Sequence, residues 1–427
     1  MMEASNSAGN DVPHFHTVGI GAGPANLSLA ALFDVVAPHR IALFDRQPGP
    51  GWHSELLFSG ARMQTSWLKD LVSLVAPCHR LTFLNYAVST GRIFALLNSQ
   101  YDVIPREEYA RYLAWASEQL GNVHYGIEID RVSFDDGFSL YSQGRPVARS
   151  DHLVLGMGSN PYVPPAFVDL LGPDVFVPER LRERINHMCS DPAAPVAVVG
   201  GSQTGAECVL ELLANGFRRV LWFGRRPWFQ PLDDSPPAND FYRPAYLRFL
   251  QQVPKPTRRM LVGREAVTGD AITPVTLQAI YQANYERMLH LGRFPLTLYP
   301  GRNVVGAERS DDGIVLNVVA SKCLETHSAR YVVLATGRRP APVQFDRDLL
   351  DRIKVDSHGE LVLNEDFSVR WDGDEHKIYA RHRARFTHGI AATNLTLLPI
   401  GSAIIINSLF EKEIFTVRDD LVSTAWG

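Results

Sequence analysis

Hydrophobic and polar positions along this chain change period twice in the same order: an apolar run, a turn of small residues, then helical spacing. The order first occurs where His16-Thr17-Val18-Gly19-Ile20 enters Gly21-Ala22-Gly23-Pro24 and continues into Ala25-Asn26-Leu27. It recurs about 180 residues later, where Pro195-Val196-Ala197-Val198-Val199 enters Gly200-Gly201-Ser202 and continues into Gln203-Thr204-Gly205-Ala206-Glu207. Each predicts a strand-to-helix corner. Between them the pattern predicts a helix near Arg106–Leu120 and a strand over Asp151–Gly158, and then Pro161, Pro164 and Pro165 mark a crossing. From Pro231 to Gly292 the spacing turns helical. There Thr273-Pro274 supplies a cap and first-turn proline, and Leu277, Ile280, Tyr281, Met288 and Leu291 fall near one helical face. Strands resume at Phe294–Tyr299 and Gly313–Val319, and Tyr331–Gly337 predicts a last strand that returns the chain to the first unit.

Corners of this kind let a pyrophosphate approach backbone N–H groups at a helix N-terminus. The end of the next strand separates two nucleotides. Arg40-Ile41-Ala42-Leu43-Phe44 ends in Asp45, 22 residues beyond Gly23, where a carboxylate accepts hydrogen bonds from ribose hydroxyls, as FAD or NAD requires. Arg219-Val220-Leu221-Trp222-Phe223-Gly224 ends instead in Arg225-Arg226, which suits the 2′-phosphate of NADPH. Both corners depart from the plain glycine pattern. Asn26 fills a third-glycine position, and Ser202 fills a second-glycine position, where a side chain crowds the pyrophosphate.

Composition sets the remaining bounds. At 427 residues, with 45% hydrophobic and 21% charged content, the chain is long enough for two or three globular domains. A net charge of −4 without a long basic block argues against general nucleic-acid binding. Met1–Asn10 has no charged-then-apolar signal pattern, and Leu395–Phe410 is too short and interrupted to span a bilayer, so a cytoplasmic location is expected. Cys78, Cys189, Cys208 and Cys323 are far apart, which excludes a flavin–disulfide reductase and predicts four buried, reduced thiols. His14 and His16 alternate on a strand without spaced acidic or thiol partners, so no metal site is expected.

Several ordered blocks resemble the microbial N-hydroxylating flavin monooxygenases of siderophore assembly. They are Gly51-Trp52-His53, Ala61–Leu71, Phe83-Leu84-Asn85-Tyr86, Phe229–Ser235 and Thr387-His388-Gly389-Ile390. Leu68–Pro77 and Arg106-Glu107-Glu108-Tyr109 are most similar to the L-lysine N6-monooxygenase branch. Where the ornithine branch carries Thr-Asn-Tyr-Ser, this chain has Val267-Thr268-Gly269-Asp270-Ala271, and Arg338 replaces a usual tyrosine. The resemblance implies an α/β fold with two Rossmann-like dinucleotide-binding domains and a small helical substrate insert. The expected boundaries are 13–165 and 339–427 for FAD, 166–231 and 293–338 for NADPH, and 232–292 for the insert.

The resemblance also implies the chemistry. NADPH would reduce FAD, reduced FAD would capture O₂ as a C4a-hydroperoxide, and the neutral side-chain amine of L-lysine would attack the distal oxygen. Gln64 and Thr396 would lie beside the flavin and the reacting amine. Trp52 and His53 would contact the flavin, together with Gly21, Gly23, Asn26 and Asp45 of the first corner. Gly200, Ser202, Gln203, Thr204, Gly205 and Arg225 would hold NADPH. Lys69 would bind the substrate carboxylate, and Asn239 the substrate backbone. The expected partners are a small primary amine and O₂, with no nucleic acid, no membrane span and self-association into a homo-oligomer. L-ornithine and a diamine such as cadaverine or putrescine remain alternative substrates. A catalytically silent nucleotide-binding flavoprotein is the alternative of another class.

Overall fold

The computed structural model describes residues 12–321, 323–373, 375–419 and 421–426. Both predicted corners are present, each built into its own parallel sheet. In the first sheet the strands run in the order Val123–Tyr125, Ile41–Asp45, His14–Ile20, Arg145–Leu155, Phe138–Ser142, Arg131–Phe134. The first four are parallel and the last two antiparallel. Ile378–Tyr379 adds to Arg145–Leu155 in parallel, so the C-terminal part of the chain completes this sheet.

The second sheet is wholly parallel, in the order Leu296–Pro300, Val220–Gly224, Val196–Val199, Tyr331–Leu334, Val175–Phe176. Its apolar runs are continuous because both faces are covered. Val196, Val198, Val220, Trp222, Tyr331 and Val333 pack against helices. Their alternates Ala197, Val199, Leu221, Phe223, Val332 and Leu334 pack against an antiparallel meander, Arg302–Ser310, Gly313–Ala320 and Cys323–Ala329. The two crossings between the units lie side by side: Ser159–Pro161 pairs with Arg338–Pro340. The last strand of the second sheet therefore returns the chain to the first unit, as expected.

The helices come out close to their predicted places, at Arg106–Glu118 and Pro274–Leu291. One assignment needs correction. Tyr281 is 62% exposed, whereas Ile280 and Asn284 are buried. Asn284 faces inward because its amide bonds both backbone groups of Leu296 at the start of a strand, donating at 3.2 Å and accepting at 3.0 Å. A hydrophobic count misses such a residue, since it is buried for its hydrogen bonds. The thiols are corrected too: Cys208 is buried, Cys189 half-buried, and Cys78 and Cys323 exposed. The apolar stretch near residue 400 forms the buried helix Leu398–Leu409 packed on Pro24–Val36, and no described helix is long and apolar enough to cross a membrane.

Candidate active site

The first corner is tight on one side and open on the other. Gly21 has φ +93°, and a Cβ there would stand 2.5 Å from the carbonyl oxygen of Gly156. A Cβ on Gly23 would meet nothing nearer than 3.9 Å, which leaves room in front of the helix Pro24–Val36 for a ligand's phosphates. Asn26 is 1% exposed, and its Nδ2 donates to the carbonyl of Gly21 at 2.7 Å. Space for this side chain comes from the strands: a Cβ on Gly156 would lie 2.3 Å from Asn26 Nδ2. Asn26 thus clasps the turn from behind. At the mouth, Asp45 accepts from the N–H of Ala22 at 2.6 Å and from that of Gln47 at 2.8 Å.

The second corner is tighter. A Cβ on Gly200 would sit 1.9 Å from the Ala335 oxygen at φ +138°, and one on Gly205 would sit 2.2 Å from the Gly200 oxygen. Ser202 is the N-cap of Gln203–Ala214, yet its side chain makes no capping bond. Arg225 projects from the strand end, exposed and without an ion-pair partner among the described residues. Arg226 instead donates to the carbonyl of Asp270 at 3.2 Å.

The two corners meet at a cavity of about 460 Å³. Pro24 and Ala25 open the first helix and Gln203 and Thr204 the second, and all four line it, with Trp52, His53 and Gln64. A buried ion pair closes the seam behind. Both terminal nitrogens of Arg106 bond Glu207, at 2.9 and 2.6 Å, and Gln203 donates to the same carboxylate at 3.0 Å. Gln203 also bonds Thr276 and Thr273, so it joins the corner to the helix Pro274–Leu291.

The electrostatics are one-sided. Arg62, Arg106, Arg338 and Arg381 line the cavity, and no carboxylate among the described residues does. Solvent reaches His53 from the cavity, yet the enclosing protein and the charges of Arg338 and Arg106 push its pKa down to about 4. His382, bonded to the Leu155 carbonyl at 2.8 Å, is pushed to about 4 by burial. Both imidazoles are neutral at pH 7.

Of the four expected catalytic and substrate-binding residues, Gln64 lines the cavity and the other three lie outside its lining. Lys69 is half-buried, and desolvation lowers its pKa. Asn239 is exposed and donates into its own turn, to the carbonyls of Asp234 at 2.8 Å and Ser235 at 3.2 Å. Thr396 is 2% exposed, its hydroxyl donating to Asn394 at 3.0 Å. Conversely, sequence reasoning gave no role to Arg106, Arg381 or His382, and treated Arg338 only as a departure. Arg106 carried a signal, since it opens a block with family character. Arg381 carried none.

Residues 13–340 match the model of the L-lysine 6-monooxygenase/L-ornithine 5-monooxygenase family. The chain belongs to that family. It is therefore an N-hydroxylating flavin monooxygenase, with FAD and NADPH as cofactors, and the two corners described above fit those nucleotides. It is similar to the L-lysine N6-monooxygenase of Escherichia coli, 31% identical over 93% of this chain and 95% of that one. It is also similar to a putrescine N-hydroxylase of Shewanella oneidensis, 27% identical over 89% and 78%. Among solved structures, the fold matches the FAD-bound cadaverine monooxygenase DfoA of Erwinia amylovora at a TM-score of 0.90, 23% identity, covering 98% of this chain and 99% of that one.

Proposed function

We propose that this enzyme hydroxylates the side-chain amine of L-lysine for hydroxamate siderophore assembly. FAD would occupy residues 13–165 with 339–427, NADPH 166–231 with 293–338, and the amine would be admitted beside the insert 232–292. Bound FAD, once reduced by NADPH, supplies the activated oxygen. The chain's own residues must hold the nucleotides, present a neutral amine and keep water out. In this reading Asp45 would bond a ribose, Arg225 would pair a 2′-phosphate, and Gln64, which lines the cavity, would face the reacting groups.

The observation that carries this reading is a cavity joining both nucleotide corners, lined by four arginines and no described carboxylate. A free alkyl ammonium has a pKa of about 10.4. Desolvation disfavours the ammonium form, and so does the charge of Arg62 and Arg381, the two lining arginines without a carboxylate partner among the described residues, so a bound amine is held in its nucleophilic state. Activity should therefore rise with pH through an apparent pKa below that of free lysine's side chain. Lys69, a half-buried cation with no carboxylate partner among the described residues, is available for the substrate carboxylate. The 31% identity to a lysine enzyme supports the choice of amine.

One observation favours a second reading, a diamine. The Asn239 amide is turned into its own loop, and a substrate without an α-amino-acid backbone has no use for it. The deciding experiment supplies NADPH, FAD, O₂ and a panel of amines and assays hydroxylamine rather than NADPH loss. L-lysine should give the most product, with ornithine poorer. More product from cadaverine or putrescine at equal concentration overturns the lysine assignment.

A further inference from the structure

The wall of the flavin cavity contains a cation for which the chain has built a seat. Arg381 lines the cavity and is 4% exposed. Its Nε donates to the Ala392 carbonyl and its Nη1 to the Leu398 carbonyl, both at 3.0 Å. Its Nη2 is buried without a hydrogen-bond partner. Room for the guanidinium comes from Gly401 in the buried helix Leu398–Leu409. A Cβ there would stand 2.5 Å from Arg381 Nε and 2.8 Å from Cδ and Cζ. Helix interiors disfavour glycine, and no turn requires one here.

Two of the other three lining arginines are ion-paired, Arg106 with Glu207 and Arg338 with Glu179. Arg62 has one buried nitrogen without a partner, but it is only half-buried and lies over the ring of Tyr101, whereas Arg381 is buried. Arg381 has no carboxylate partner among the described residues, and the segments that hold it, Ile390–Thr393 and Leu395–Leu409, contain no titratable side chain. Of nearby titratable groups, His53, His382 and His388 are neutral, each pKa pushed down to about 4 mainly by burial. Burial draws the Arg381 guanidinium down to about 9, which leaves it charged at neutral pH. An unpaired buried charge is costly and is retained where something supplies the opposite charge.

We infer that Arg381 is a fixed positive charge set beside the flavin ring, where it stabilises the negative charge the ring gains on reduction. The inference rests on FAD occupying this cavity. Hydride transfer from NADPH moves one hydrogen nucleus and two electrons, leaving NADP⁺ and a reduced flavin that carries one negative charge unless a proton follows. A cation in a low-dielectric wall favours that anion over its protonated form and over the oxidised ring.

The first measurement uses the unmodified holoenzyme. Its midpoint potential is followed against pH, with free FAD in the same buffers as reference. The enzyme-bound flavin should take up one proton per two electrons down to a lower pH than free FAD does. The second compares Arg381→Gln, which keeps donors for the two carbonyls, with Arg381→Lys, which keeps the charge. The glutamine variant should bind reduced FAD about tenfold less tightly relative to oxidised FAD, a downward shift of about 30 mV for this two-electron couple. The lysine variant should recover most of it. An Arg381→Gln holoenzyme with unchanged potential, or a wild-type proton uptake matching free FAD, overturns the role of Arg381. If the glutamine variant loses its FAD, the wild-type pH profile decides alone. A wild-type protein that retains no FAD would sink the flavin reading itself, a result distinct from bound flavin with an unshifted profile.

Discussion

The two glycine corners solve one packing problem in opposite ways. A strand and the helix after it must approach closely, and a glycine at their contact usually provides the space. In the second corner it does: Gly205 lies on the helix, and a Cβ there would meet the Gly200 carbonyl at 2.2 Å. In the first corner the helix carries Asn26, and the glycines are on the strand side, at Gly19 and Gly156. The departure from the glycine pattern is thus a relocated clearance with a hydrogen bond added. The corners also differ in what they leave free. Asp45 is already engaged by the N–H of Ala22, whereas Ser202 and Arg225 make no such bond to their own corner. Both turn carbonyls are held, but from different sides: Asn26 of the helix donates to Gly21 at 2.7 Å, and Trp222 of the next strand donates to Gly200 at 2.8 Å.

The largest break comes from adding one carbon to each corner. Gly200→Ala would place a Cβ 1.9 Å from a backbone oxygen at φ +138°, so destabilisation by about 4 kcal/mol or more is expected. Gly23→Ala has room and an ordinary φ of −72°, and stability should change by less than about 1 kcal/mol. Its cost should fall on FAD, which the variant would retain poorly. Thermal unfolding of the apoproteins and the flavin-to-protein absorbance ratio separate the two. A Gly23→Ala protein that keeps its FAD would show that the open side of this corner is not where the phosphates lie.

Next is the clasp. Asn26→Ala removes a buried donor from the Gly21 carbonyl and leaves a void against Gly19 and Gly156, at an expected cost of about 2–3 kcal/mol. Asn26→Gly, which restores the usual pattern, should be no better, because the strand glycines already hold the helix at asparagine's distance. Equal denaturant midpoints for Asn26→Gly and the wild type would refute the relocated clearance.

The chain's periodicity made the central strands of both sheets legible, but not Val123–Tyr125, Arg131–Phe134, Phe138–Ser142, Val175–Phe176 or Ile378–Tyr379. Alternate residues of Val196–Val199 feed different cores, and an uninterrupted apolar run signals burial on both faces. The corners and their terminal residues were equally plain, since each is a local spacing. The cavity was not, because its walls come from segments as distant as Ala25, Arg106, Thr204 and Leu395. Nor was Arg381. In the sequence it is one arginine in Arg381-His382-Arg383-Ala384-Arg385, and only packing against Gly401 separates it from its neighbours. Tyr281 failed for a related reason: helical spacing placed it inward, but Asn284 holds the buried face through backbone bonds.

Cofactor choice sharpens the comparison at the strand ends. Arg225 is exposed and unpaired among the described residues, so replacing it should leave stability nearly unchanged. A charge-assisted pair with a 2′-phosphate contributes about 1.5–3 kcal/mol, or roughly 10- to 100-fold. Arg225→Ala should raise KM for NADPH by that factor and leave KM for NADH alone, since NADH has no phosphate to lose. Equal use of NADPH and NADH by the unmodified enzyme would remove the assignment.

The smallest effect tests the open cap. Ser202 has extended backbone, φ −121° and ψ −177°, and its hydroxyl bonds nothing in the helix it precedes. Replacing an N-cap serine by glycine costs only a few tenths of a kcal/mol, roughly, even where the cap is made. Ser202→Gly should therefore melt like the wild type, and any change must appear in the cofactor. If the side chain crowds the pyrophosphate, glycine lets the backbone N–H groups approach, and KM for NADPH should fall by about two- to threefold, under 1 kcal/mol. If KM rises instead, the hydroxyl is donating to a phosphate oxygen, and this corner, like the first, uses a side chain where the plain pattern has only backbone. Either result is read at fixed amine concentration from the rate of flavin reduction under anaerobic conditions, which isolates nicotinamide binding from oxygen and from the amine.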